Sequence, residues 1–237
     1  MAASVPDPTA EPDPAFPEDP LYREAVVDLL GAIAYGEISA FERLAEDASS
    51  APSLEDKVAL ATMASAEFGK VAALHTRIAE LGSDPFGAMA PFRSAIDSFH
   101  AHTAPADWYE SLIKAFVGDG LADDFYREIA AYLDADTRDL VLASLEEETH
   151  AAFVVDRVRS GIRADPRLGG RLALWGRRLM GEALTQAQRV AAERDALSSL
   201  LAGGVDRPGL DLAAIGRMFA RITERHAARM EELGLDS

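Results

Sequence analysis

Four carboxylates and one histidine stand at positions where a helical period calls for an apolar side chain. The stripe Val26, Leu30, Ile33, Phe41, Leu44 is interrupted by Glu37, and the stripe Leu60, Ala64, Val71, Leu74, Ile78 by Glu67. Asp119 interrupts Trp108, Leu112, Ala115, Ala122, Tyr126, Ile129. Glu147 and His150 fall within Leu140, Ala143, Val154, Val158. A buried carboxylate without a partner is costly, so inward-facing acids are paired or bound to metal. Glu147 and His150 form an E-x-x-H tetrad, and positions i and i+3 share a helical face, so both can ligate. Glu37 and Glu67 are 30 residues apart and Asp119 and Glu147 are 28 apart, so the two halves repeat one pattern. Two helical hairpins packed about a pseudo-twofold axis would gather the four acids. The chemistry of such a set is a carboxylate-bridged metal centre, di-iron in its complete form.

The second hairpin position departs from that form. A complete set has E-x-x-H twice, but residues 67–70 read Glu-Phe-Gly-Lys. A protonated lysine has no lone pair to give a metal. Four carboxylates carry four negative charges, which two divalent ions balance; Lys70 leaves three, which suits one ion better. The sharper expectation is one metal near Asp119, Glu147 and His150, with Lys70, the catalytic candidate, in the electrostatic place of the second. The plainer one is a metal-free interior salt bridge around Lys70. Plain alternatives stand beside the other residues too. A one-residue error in the stripes would turn the acids to solvent, and His150 would serve as a satisfied core histidine. Tyr35, Tyr109 and Tyr126 are core phenols before they are redox groups. His75 is two turns past Glu67, a poor substitute ligand. His100 and His102 are expected at the surface. Gly118 and Gly120 flank Asp119, where close helix approach or space for a substrate would each explain them.

The elements that must position these groups are all helical. Helices are expected over about 21–47, 53–82, 106–133, 136–162, 166–201 and 211–233, with a short one over 90–100. Ser53 with Asp56 resembles a capping box, Asp136 is a candidate N-cap, and Asp165-Pro166 opens the fifth long helix. Two short connections and one long crossover define an all-α four-helix bundle with two additional C-terminal helices. The division expected is an acidic Pro-rich disordered tail over 1–20, the bundle over 21–162, and C-terminal helices packed on it over 163–237.

Composition narrows the rest. The chain has 237 residues, 49% of them hydrophobic, enough for one sizeable core. It has no cysteine, which removes disulfides and thiolate metal sites. No secretion signal and no membrane-spanning run are expected, so the chain is placed in the cytoplasm. A net charge of −17 repels nucleic acid unless a local basic patch exists. Seven arginines between Arg157 and Arg178 form one such stretch, readable as a phosphate-contacting face or as one paired with acidic helices or a second subunit. Arg217, Arg221, Arg225 and Arg229, at i, i+4 spacing, read as a charged outer helix or a dimer element.

The stretches AYGEISAFERL, MASAEFGKVAALHTRI, WYESLIKAFVGDGLADDFYREIA and SLEEETHAAF, within residues 20–200, resemble the ferritin-like superfamily. Within it they are similar to an actinobacterial branch related to the tRNA 2-methylthio-N6-isopentenyladenosine hydroxylases. That resemblance implies a ferritin-like bundle and a non-haem iron centre of one or two ions. It implies O2-dependent hydroxylation of a prenyl group on tRNA or of another small hydrophobic substrate. Glu37, Glu67, Glu147 and His150 fall on ligand positions of the family, and Asp119 where its third helix has Glu. Lys70 stands at a position the family gives to histidine. The alternative to the oxidase or hydroxylase is a non-catalytic ferritin-like protein, with one metal or none, acting by association. A homodimer fits either reading.

Overall fold

The computed structural model describes residues 19–145, 151–202 and 212–236, and the regular structure among them is all helical. Helix α1 (Pro20–Ala48) opens with Pro20 in its first turn, while the Asp19 carboxylate accepts the Leu21 N–H at 2.9 Å. A five-residue connection turns the chain into α2 (Leu54–Glu80), whose Ser53 Oγ accepts the Asp56 N–H at 3.1 Å. That short connection makes α1 and α2 antiparallel neighbours along nearly their whole length. Gly82, at φ 79°, ends α2, and the Ser83 N–H turns back to the Ile78 carbonyl at 3.1 Å.

The crossover holds more structure than the single short helix expected. It contains α3 (Pro85–Met89), a 3-10 turn at Ala90–Phe92, and α4 (Arg93–His102). Asp107 then caps α5 (Trp108–Ala130) by accepting the N–H groups of Tyr109 and Glu110. The helix expected to begin at Asp136 begins as α6 (Ala135–Ser144), capped by Asp134, whose carboxylate takes the Thr137 N–H at 3.1 Å. The chain resumes as α7 (Ala151–Ala164). Asp165 accepts the Arg167 N–H at 3.1 Å at the start of α8 (Arg167–Glu193).

The long helix expected over 166–201 is broken at Arg194, beyond which α9 (Asp195–Ala202) lies against α1. The cause is a side-chain contact. Arg194 leaves helical geometry at φ −127°, ψ 85°, and its guanidinium grips Asp28 of α1 at 2.8 and 2.5 Å. Helix α10 (Leu212–Glu232) packs on α5, and α8 packs on α5 and α4. No helix among the described residues is long and apolar enough to cross a membrane.

The Arg194–Asp28 contact is one of a set. Asp28, Asp56, Glu110, Asp124 and Asp134 are all buried, and each meets an arginine from a distant segment. Asp56 takes Arg157 of α7 at 2.6 Å, Glu110 takes Arg171 of α8 at 2.5 Å, and Asp134 takes Arg77 of α2 at 3.3 Å. Asp124 receives Arg229 and Arg225 of α10. The arginines read as a basic stretch therefore divide. Arg157 and Arg171 hold the bundle together, while Arg159, Arg163 and Arg167 are exposed. In α10, Arg221, Arg225 and Arg229 clamp onto Glu128 and Asp124 of α5 in the same chain.

Two apolar cores result. One gathers Tyr22, Leu30, Ile33, Leu74, Ile78 and Val141; the other gathers Leu60, Leu112, Val117, Val158, Leu172 and Ile222. On α1 the buried members stop at Ala34 and resume at Leu44; on α2 they stop at Ala64 and resume at Leu74. Glu37, Glu67 and Lys70 fall in those gaps, so a polar waist separates the cores.

The two α5 glycines have different reasons. A Cβ at Gly120 would run into the Arg229 guanidinium, which donates to the Gly120 carbonyl at 2.7 Å; a Cβ at Gly118 would meet nothing. Gly118→Ala should therefore stabilise the fold by about 0.5–1 kcal/mol through helix propensity. Gly120→Ala should destabilise it by roughly 1–3 kcal/mol by overpacking. Urea denaturation of both variants checks the opposite signs.

Candidate functional site

At the waist, α1 supplies Glu37, α2 supplies Glu67 and Lys70, and α5 supplies Asp119, Asp123 and Tyr126. Glu67 and Lys70 are one helical turn apart, and the Lys70 Nζ reaches the Glu67 Oε2 at 2.7 Å. The same ammonium lies 3.6 Å from the Glu37 Oε2. All three side chains keep only 10–16% of their exposure. Lys70 thus stands between the two carboxylates of the first hairpin.

The electrostatics follow from burial and crowding. Burial, a hydrogen bond to Glu67 and the charge of Glu67 push the Glu37 carboxyl up from 4.5 to about 10, so Glu37 holds a proton at neutral pH. Burial opposes charge on Lys70, but Glu37 and Glu67 outweigh it and the ammonium is held above its ordinary value. Asp119 is pushed well up by burial, then by Glu67 and Asp123. Burial pushes Asp123 to about 6, with Lys70 opposing and Glu67 adding to the rise. The Tyr126 phenol is raised by burial and by Glu37, Asp123 and Asp119.

These groups open onto a cavity of about 1390 Å³. Its walls are mainly apolar, from Ile33, Met63, Phe92, Phe116, Leu121 and Phe219, among others. Asp119 lines it, which explains how a carboxyl withdrawn from bulk water keeps some exposed surface. A second polar group lines the same cavity, formed by Arg43 and Asp47 of α1, His100 of α4 and Lys114 of α5.

The structure thus brings together Glu37, Glu67, Lys70 and Asp119. Glu147 and His150 lie outside the described residues. Tyr126 lines the cavity, but the Tyr35 hydroxyl donates to Asp97 at 2.7 Å and Tyr109 packs on Gly161. His75 is set edge-to-face against Phe86, and His102 pairs with Glu182 at the surface. His100, expected at the surface, is turned into the cavity instead, because α4 lies against α8 and carries that face inward. Asp123 and Lys114 were missed by the sequence reading. Asp123 is one turn past Asp119 on the same face, a spacing that pointed to it. Lys114 sits beside Ala115 of the α5 stripe, flanked by Ile113, where a charged side chain was itself a signal.

Among the described residues, no three His, Asp or Glu side chains come together as a set that could hold a metal ion. Three residues after Glu67 stands Lys70, whose ammonium donates to Glu67 and has no lone pair to give a metal.

An all-α bundle with one long crossover and carboxylates converging from its core helices is a ferritin-like protein. The chain belongs to the actinomycete ferritin-like domain family, whose model (Ferritin-like domain, actinomycetes) matches residues 20–204. No curated protein matches the chain.

The raised carboxyls set the pH dependence of stability. Glu37 and Asp123 keep protons in the folded state that the unfolded chain releases from about pH 4 upward. At these two groups the folded state then binds more protons, so their contribution to stability falls as pH rises through about 6 for Asp123 and about 10 for Glu37. The lowered His100 opposes that fall below about pH 6.5, and the lowered Lys114 opposes it above about pH 8. Denaturation midpoints should drop from about pH 5 to about pH 9, and Glu37→Gln, which mimics the protonated form, should flatten the drop. An unchanged slope in that variant would show that Glu37 is ionised in the folded state.

Proposed function

We propose that this ferritin-like bundle binds a small, largely apolar molecule in its central cavity, around a metal-free centre held together by Lys70. The observation that carries this reading is the Lys70 ammonium, 2.7 Å from Glu67 and 3.6 Å from Glu37, at the wall of a large apolar cavity. One positive charge placed there removes the repulsion that a cation would otherwise have to remove. Glu37, being protonated, needs no further counter-charge. The cavity, at about 1390 Å³, is larger than a typical small-molecule site and shares its mainly apolar lining. Its convergent polar groups, Asp119, Asp123 and Tyr126, would orient one polar end of the ligand.

A second reading is favoured by Asp119, Leu145 and Val154, which all line the cavity. Leu145 and Val154 flank the stretch that contains Glu147 and His150. One iron held by Asp119, Glu147 and His150 would supply O2 chemistry for hydroxylating a hydrophobic group, such as a prenyl chain on a tRNA nucleoside. The exposed Arg159, Arg163 and Arg167 would be the surface that meets the polyanion.

Metal analysis of protein made in iron-rich medium and purified without chelator separates the two. The metal-free reading expects no stoichiometric metal, and one equivalent of iron per chain would support the second. Two equivalents would overturn both. Lys70→His restores the E-x-x-H spacing and is expected to raise metal uptake over the parent chain. Lys70→Met leaves Glu67 buried without its cation and should cost about 3 kcal/mol, roughly 10 °C in melting temperature.

A further inference from the structure

Lys114 is the second lysine of the cavity, and nothing in the reading above uses it. Its side chain is almost fully buried, at 6% exposure. The Nζ donates to the Thr103 carbonyl at 2.8 Å and lies 5.7 Å from the centre of the Phe99 ring. Among the described residues no carboxylate forms an ion pair with it. The charged and titratable groups around it are Asp47, Glu46 and Arg43 of α1, Asp119 of α5 and His100 of α4. Burial lowers its amine to about 8, with Arg43 adding to the fall and Asp47, Asp119 and Glu46 opposing it. At neutral pH about a tenth of this amine is then the free base, the nucleophilic form, against less than roughly a thousandth for an ordinary lysine.

His100 gives a second, independent indication. Its Nδ1 is buried and has no hydrogen-bond partner, although the residue lines the cavity. Burial, with Lys114 and Arg43 adding, holds the imidazole down to about 3, so it remains neutral. A neutral imidazole nitrogen left unsatisfied beside an amine that can give up its proton marks a place for the polar end of a ligand.

We infer that Lys114 captures the carbonyl group of an apolar aldehyde or ketone held in the cavity, forming an imine. The amine lone pair attacks the carbonyl carbon and a C–N bond forms as the C–O π bond opens onto oxygen. The carbinolamine then loses that oxygen as water, which carries off both amine protons and leaves C=N. The step needs no oxidant and no metal. An anionic ligand is disfavoured because Asp47 and Glu46 are the acidic neighbours of the position. The inference rests on the cavity admitting an apolar molecule, as proposed above, and adds the functional group that molecule carries.

The test uses the full chain, hexanal as probe, cyanoborohydride to reduce the imine, and peptide mass mapping. Lys114 should gain the hexyl group on the order of tenfold faster than Lys57, which is exposed on α2, with a rate that climbs through about pH 8. Lys70, locked between carboxylates, should stay unlabelled. A fluorescent apolar dye without a carbonyl is measured in parallel, on the parent and on Lys114→Arg. Dye binding in both, with labelling at 114 only in the parent, supports the inference. Dye binding with no labelling at Lys114, or with Lys57 labelled first, overturns it and leaves the cavity reading standing. Neither dye binding nor labelling overturns both.

Discussion

Carboxylates that face each other across a helical bundle repel unless something positive stands between them, and in this chain that something is the Lys70 ammonium. It is supplied by α2 itself, one turn from Glu67, so it arrives with the helix rather than from solution. Its consequences reach along the molecule. The waist separates two apolar cores, and neither core can close unless α1, α2 and α5 tolerate the acids where they meet. With one fixed positive charge available, the cluster settles the remaining imbalance by keeping Glu37 protonated. A proton and an ammonium together lower the repulsion between the carboxylates of the first hairpin.

The same logic governs the periphery with a different residue. Each of the buried acids Asp28, Asp56, Glu110, Asp124 and Asp134 is answered by an arginine from another segment. Such pairs add little net stability over apolar contacts, because desolvation offsets most of the attraction. Their contribution is register. An arginine fork fits one carboxylate in one orientation, and a slipped helix would leave an acid buried alone. Helix α10 shows this well, since Arg221, Arg225 and Arg229 engage Glu128 and Asp124 in order along α5. Gly120 gives Arg229 the space to reach in.

How much of this was legible in the sequence depends on the range of the interaction. The bounds of α1, α2 and α5 follow from period and local caps, and Ser53 with Asp56 behaves as their spacing indicates. The break at Arg194 was not legible, because it answers Asp28, far away in the chain, and no local signal encodes that. The same holds for the cap at Asp134 in place of Asp136. Asp134 is also held by Tyr22 and Arg77, which fix it where the helix starts. At the site, Glu37, Glu67, Lys70 and Asp119 were readable as interruptions of apolar stripes. Lys114 showed only as a charge among apolar neighbours, and His100 not at all, because the cavity they line is created by helices that meet only in the folded chain.

Lysine is rare here, three residues against twenty arginines, and two of the three line one cavity. Arginine would serve neither place. Between Glu37 and Glu67 a compact point charge fits where a planar fork would force the helices apart. At position 114 the difference is sharper, since a guanidinium stays charged in proteins whereas a buried amine can give up its proton. The two lysines are made opposite by their neighbours. Carboxylates hold Lys70 in its charged form, while burial without an ion-paired carboxylate among the described residues lowers the Lys114 amine. One cavity thus contains a permanent cation that keeps its walls together and a convertible amine able to react. A chain that meets Asp28, Asp56, Glu110, Asp124 and Asp134 with arginine has placed two of its three lysines where proton loss, or compactness, is the property required.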